Sequence, residues 1–326
     1  MFKMTHPDTV QTPAQTEYRY IGDNPNNFVY FNCDDLNNQN DETCEVWRII
    51  GVFDVDDGYG NYEQRIKLVR GSALPDAKQW DTRADEMRPN NNSGKNEWVG
   101  SIIQTYLNDN GDYYTRTGIA SNYGLKATAK NMISVAKYYL GGTSYNDSTG
   151  FGTADAMYLW ERGTEVFSYE TYCLNYDWND RCTTNYCENN PTDDICNVTR
   201  STFWVGEVAL MYPSDQYLVF ANGVDAVCYG EPDKCKSGAS GNYGTPSANW
   251  IYNSNNLEGQ NSSYYNWFIS PYSSASSYAF HIYLDGHISQ YDLNYSFGVR
   301  PVLYLSSNVK ITDGTGEQNN PYKLGL

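Results

Sequence analysis

The chain has 326 residues, enough to bury a sizeable core as one large domain or two modest ones. Its 39 acidic against 22 basic residues give a net charge of −17, so it lacks the basic footprint with which a protein neutralises nucleic-acid phosphates or an anionic membrane. Mean hydropathy is −0.66 and no apolar run approaches the roughly 18 residues of a membrane helix, so no membrane partner is expected for this chain.

Met1 to Gln15 is polar, carries Pro7 and Pro13, and has no apolar signal-peptide core. It reads as a flexible tail over residues 1–16, ahead of a single domain over 17–326. Glu17 to Asn32 reads as two short strands around the turn residues Asp23-Asn24-Pro25-Asn26. Val46 to Val55 and Gln64 to Arg70 form a hairpin across the loop Asp56 to Asn61. That acidic loop does not fit a calcium-binding EF-hand. Counted from Asp54, Gly58 is fifth rather than sixth, and Arg65 stands where a Glu is needed.

Trp98, Ile102, Ile103, Tyr106 and Leu107 recur at helical spacing within 96–108, and a second helix is expected from Lys126 to Leu140, ended by Gly141-Gly142. Ala156 to Trp160 fits a strand or a short helix. Phe203 to Met211 and Gln216 to Phe220 have strand-like apolar content, and the tail Val309 to Leu324 reads as one more strand with a Gly-rich turn.

The eight cysteines stand as Cys33 and Cys44, then Cys173, Cys182, Cys187 and Cys196, then Cys228 and Cys235. The one close pair, Cys182 and Cys187, has no neighbouring His, so disulfides fit better than zinc. Disulfides place the protein outside the cytoplasm, in the extracellular space or at a cell surface. Cys33–Cys44 and Cys228–Cys235 read as local pairs; the middle four allow three connectivities. Those four lie in residues 171–200, a stretch too poor in apolar residues to build a core of its own, which reads as a stapled insertion.

Three His in total, and the absence of nucleophile-elbow, P-loop, zincin and dinucleotide motifs, leave little for catalysis, and no cofactor or metal is expected. Glu231-Pro232-Asp233 and Trp178-Asn179-Asp180 are similar to calcium and sugar ligand motifs of C-type lectins. They stand in reverse order inside Cys-rich loops, and chance is the simpler account.

The most distinctive stretch is Trp267 to Leu305. Phe280, Ile282 and Leu284 alternate with His281 and Tyr283, the pattern of a strand with one buried and one exposed face. Keeping Ile288 on the face of Ile282 requires an odd-numbered loop such as Asp285-Gly286-His287. From Gln260 to Phe297 there is no Lys, Arg or Glu, and Tyr, Ser and Asn fill the positions between apolar frame residues. Rigid amphipathic rings among adaptable hydrogen-bonding groups suit a binding surface.

At Ser270-Pro271-Tyr272, at Phe297-Gly298-Val299-Arg300-Pro301-Val302-Leu303-Tyr304-Leu305, at Val46 to Phe53 and at Gly314 to Tyr322, the chain resembles the variable proteins of diversity-generating retroelements, bacterial surface and pilin-like proteins. The resemblance implies an α+β C-type-lectin-like fold of the formylglycine-generating-enzyme type, with short antiparallel strands, two helices and the stapled insertion. It implies a variable region over 264–297 in which adenine miscopying turns Asn codons into Tyr, Ser, Asp, His, Ala or Phe. Tyr272, Ser274, Ala275, Ser277, Tyr278, His281, Tyr283, His287, Ser289, Tyr291, Asp292, Asn294, Tyr295 and Phe297 match that spectrum; Gln290 does not and reads as frame or as drift. The expected function is non-enzymatic binding of a protein or glycan ligand, in a pilus or other surface assembly, with Tyr272, Tyr278, Tyr283, Tyr291 and Tyr295 as anchors. The rivals are an undiversified, calcium-dependent lectin of the same fold and an enzyme related to the formylglycine-generating enzymes or to glycoside hydrolases.

Overall fold

The computed structural model describes residues 1–84, 92–142, 154–164, 186–192, 196, 200–219, 249–251, 265–273, 275–282 and 288–326. Among them, the fold is α+β, dominated by antiparallel pairing. The largest sheet runs in the order β1 (Phe2–His6), β2 (Gln15–Arg19), β4 (Glu45–Asp56), β5 (Tyr62–Arg70), β15 (Val302–Leu305), β10 (Val208–Ala209). Strand β3 (Phe28–Phe31) also pairs with β4, and β7 (Ile133–Ser134) with β15.

The β4–β5 hairpin forms as expected, from Trp47 opposite Arg70 to Asp56 opposite Tyr62. Its β-branched and aromatic residues suit a pleated, buried surface. The turn is closed by Asp56, whose Oδ1 accepts the N–H groups of Gly58 at 2.8 Å and Gly60 at 2.9 Å, so the acidic loop is satisfied as a turn. A bulge between Ile49 and Gly51 interrupts the ladder. A Cβ on Gly51 would lie 2.1 Å from the Tyr18 carbonyl oxygen, so only glycine lets β2 approach β4 here.

Three expectations are corrected. First, the N-terminal tail is not loose. Phe2 to His6 pairs residue by residue with Arg19 to Gln15, the His6 ring stacks on Tyr158 at 3.7 Å, and its Nε2 lies 3.0 Å from Glu17 Oε1. Second, the helix expected over 126–140 is one turn, α3 (Ala127–Lys130), after which the chain extends into β7 and β8 (Ala136–Tyr139). Ala136 and Tyr138 are buried and Lys137 lies between them, a strand period completed by pairing of β8 with β9 (Phe203–Gly206). Third, Gln216 and Tyr217 end a short helix, α6 (Pro213–Tyr217), with Pro213 at its first position.

The remaining helices are also short. Helix α1 (Ile102–Leu107) begins later than its periodicity suggests, because Ser101 Oγ caps it by accepting the Gln104 N–H at 3.1 Å. Helix α2 (Asp112–Thr115) packs against it. Ala156 to Trp160 belongs to a helix, α4 (Ala154–Glu161), and α5 (Tyr186–Asn189) lies within the expected insertion. The tail forms a hairpin of two strands, β16 (Lys310–Asp313) and β17 (Lys323–Gly325).

Between the large sheet and helices α4 and α6 lies a buried ionic cluster. Asp215 on α6 accepts from Arg19 Nη1 at 3.0 Å and Lys67 Nζ at 2.5 Å, and Arg19 also pairs with Glu17. The rings of Phe53, Tyr212 and Tyr304 surround the Lys67 ammonium. Burial alone would raise the Asp215 carboxyl, but Lys67 and Arg19 overcome it and hold the group below its ordinary range. Glu17 is likewise held low, with Arg19 and His6 outweighing its burial. On α4, burial pushes Glu161 up to about 7 despite Arg162 and the two hydrogen bonds it accepts from Ser214.

Cys33 and Cys44 form the expected disulfide. Cys196 is also disulfide-bonded. Cys173, Cys182, Cys228 and Cys235, and the side chain of Cys187, lie outside the described residues, as does most of the insertion.

Candidate functional site

The stretch singled out in the sequence forms a separate antiparallel sheet of β11 (Asn266–Pro271), β12 (Tyr278–Ile282) and β13 (Ile288–Asp292). Ile282 stands opposite Ile288, the same-face relation that an odd-numbered loop provides. The joining residues, Tyr283 and His287 among them, lie outside the described residues, as does Ser274.

The register assigns every side chain to a face. Phe280, Ile282, Ile288 and Gln290 share one, and Phe280 and Ile288 line a cavity with Met157 and Trp160 of α4 and Pro213 of α6. Gln290 lies directly opposite Phe280 and is half-buried. Trp267, His281, Ser289 and Tyr291 share the other face.

That second face is not simply open to solvent. His281 is 1% exposed, which corrects its assignment to an outward surface. Its ring centre lies 4.9 Å from that of Phe297, 5.7 Å from Tyr265 and 6.1 Å from Trp267. Phe297 in turn packs on Trp267 at 4.5 Å and on Tyr265 at 5.1 Å. These aromatic neighbours cover the residue that alternation alone would expose.

The cluster then grades outward. Tyr291 stands edge-on to His281 at 5.8 Å and is 39% exposed; Tyr295 stands edge-on to Tyr291 at 4.7 Å and is 51% exposed. Ser289, Asp292 and Asn294 are part-exposed, as is Tyr278 at the end of β12; by the register Ser289 shares the face of Tyr291, whereas Tyr278 and Asp292 share that of Phe280. The structure therefore brings His281, Tyr291, Tyr295 and Phe297 together but offers only the two tyrosines at the surface.

Other expected positions lie deep. Tyr272 packs edge-on against Phe280 at 5.8 Å, and Ala275 and Ser277 are fully enclosed in the loop between β11 and β12. That loop is held by a residue the sequence reading did not single out. Asn96 Nδ2 lies within 2.7 Å of the Tyr272 carbonyl oxygen, 3.0 Å of Ala275 O and 3.1 Å of Tyr278 O, while its own N–H donates to Ser276 O at 2.6 Å. Asn96 lies where the periodicity suggests a helix start, so no local signal marks it as a clamp. Trp267 and Tyr265, read as frame or not at all, supply the aromatic wall behind His281.

Elsewhere among the described residues lie the apolar cavity beneath Phe280 and a polar one beside Glu17, Lys137 and Arg162. Neither is lined by Tyr278, Tyr291 or Tyr295. Among the described residues, no group of three or more His, Cys, Asp or Glu is placed to hold a metal ion. No protein-family model, curated protein or solved structure matches the chain.

Proposed function

We propose that this chain is a non-enzymatic binding protein, a C-type-lectin-like domain displayed outside the cell or on its surface, whose C-terminal region is diversified to vary specificity. The carrying observation is the graded aromatic face, in which exposed Tyr291 and Tyr295 rest on buried His281, Phe297 and Trp267. Large rings already fixed by packing lose little conformational freedom on binding, and half-buried Ser289 lies on the same face as Tyr291.

A protein surface is the ligand class this arrangement favours. The exposed tyrosines lie on an outer strand and the turn after it, and rigid rings on such an open face suit a protein contact. The Cys33–Cys44 disulfide supports the extracellular placement. Among the described residues, the mutable set contracts to Tyr278, Ser289, Tyr291, Asp292, Asn294 and Tyr295, because exchanging buried Ala275, Ser277 or His281 for other sizes would strain or empty the core; Ser274, Tyr283 and His287 stay in the set.

The test is genomic. The reading expects a near-copy of the DNA encoding Trp267 to Leu305, differing at adenines and lying beside a reverse-transcriptase gene. Related loci identical at these six positions and at Ser274, Tyr283 and His287, with no such copy, would refute diversification.

A further inference from the structure

We infer that the segment Lys78–Asp81 and Asn96 form a cradle that grips the backbone of the candidate binding surface, so that side chains there can be exchanged while its main chain stays in place. The inference rests on the reading of this surface as the binding site, and it adds how the site is kept in register. The bonds end on main-chain atoms. Asn96 reaches four carbonyl oxygens, those of residues 272, 275, 276 and 278. Gln79 Nε2 donates to Asn294 O at 2.6 Å, and the Trp80 N–H donates to Leu293 O at 2.9 Å.

Strand β6 (Lys78–Gln79) pairs with β14 (Ser296–Phe297), extending the grip to the end of the turn. Between the two gripped parts, the Leu293 N–H donates to Ser277 O at 3.0 Å, which ties the loop before β12 to the turn after β13. A carbonyl oxygen is present whatever the side chain, so these bonds survive any replacement that keeps the backbone path. Asn96 is 2% exposed, and its side-chain amide has two N–H groups for three carbonyls. Losing its side chain would remove a buried donor from Tyr272 O and one of two from Ala275 O and Tyr278 O, which also accept from the N–H groups of Tyr278 and Tyr272, and this is costly in a way that trimming an exposed Tyr is not.

Asn96 is accordingly a positioning residue for the surface. The experiment compares native-state amide exchange over residues 272–297 in three proteins: the parent, Asn96→Ala, and a fourfold variant carrying Tyr278→Ser, Tyr291→Ser, Asn294→Ala and Tyr295→Ser. The cradle predicts that Asn96→Ala speeds exchange at Leu293 and Trp80 by about tenfold, and that the fourfold variant leaves those amides within about threefold of the parent. Comparable acceleration in the fourfold variant, or none in Asn96→Ala, would overturn it. If Asn96→Ala does not fold, the comparison of parent with fourfold variant still decides. Failure of the binding reading is separable: a fourfold variant with parental exchange that still captures a protein target selected on the parent from a displayed library would remove the tyrosines from the site and leave the cradle standing.

Discussion

The ring of His281 meets that of Tyr291 at 90°, with 5.8 Å between centres, and the two residues differ sharply in exposure although they lie on the same face of one sheet. The boundary between core and surface thus runs along this face rather than between its two sides. Truncating His281 to Ala should therefore cost about 2–4 kcal/mol, comparable to Phe280→Ala, whereas Tyr291→Ala should cost under about 1 kcal/mol. Chemical denaturation of the three variants measures this, and equal costs for His281→Ala and Tyr291→Ala would contradict the assignment.

Glu161 sets a pH dependence of stability. Its ordinary value is 4.5, and burial pushes it up to about 7 in the fold. Folding therefore takes up a proton between these values, so the contribution of Glu161 favours the fold below pH 4.5 and is lost as pH rises to 7. Glu161→Gln mimics the protonated form. It should match the parent near pH 5 and exceed it at pH 8 by on the order of 1–3 kcal/mol, read from denaturation midpoints.

The acidic limb has the opposite sign. Glu17 and Asp215 are held below their ordinary values, so their contribution is present above those values and is lost as pH falls through the folded ones. Combined with Glu161, this places maximal stability in mildly acidic to neutral solution, with a steep fall below about pH 4. Acid titration by circular dichroism would show it; a stability that stays flat down to pH 2 would not fit.

The ion pair between Lys67 and Asp215 should behave as a buried unit. Lys67→Met alone leaves Asp215 short of one of its two cationic partners and should cost about 3–5 kcal/mol. Adding Asp215→Asn should cost less than the sum of the two single changes, because each removes the other's reason for the penalty. A double-mutant cycle by denaturation checks the coupling, and strict additivity would argue against it.

Removing the Cys33–Cys44 bond frees a loop with a sequence separation of 11, for which chain entropy gives a cost of about 3 kcal/mol. The double variant Cys33→Ala, Cys44→Ala should melt lower while keeping the parent's spectrum, since Phe31 and Trp47 still pack edge-on beside it. A melting temperature unchanged from the parent would contradict this.

What could be read from the sequence was local. The β4–β5 hairpin, the Cys33–Cys44 bridge and the shared face of Ile282 and Ile288 each follow from periodicity or spacing within a few dozen residues. The stretch 126–140 misled because Ala129, Met132, Ile133, Ala136 and Leu140 satisfy a helical period, while the partners that make 133–139 extended, β15 and β9, lie far along the chain. The burial of His281 was hidden for the same reason. Its cover comes in part from Tyr265, Trp267 and Phe297, and alternation within β12 carries no information about what packs above it. Asn96 escaped notice because a clamp on main-chain oxygens leaves no motif in the residues it holds.

The most direct measurement compares two displayed libraries sorted for protease resistance. One randomises Tyr278, Ser289, Tyr291, Asp292, Asn294 and Tyr295; the other randomises Ala275, Ser277, His281 and Phe297. The account predicts that most clones of the first library stay folded, that some of them capture a protein target the parent ignores, and that the second library collapses to parent-like residues. Equal folded fractions in the two libraries would contradict it, as would a first library that folds but never yields a new binder.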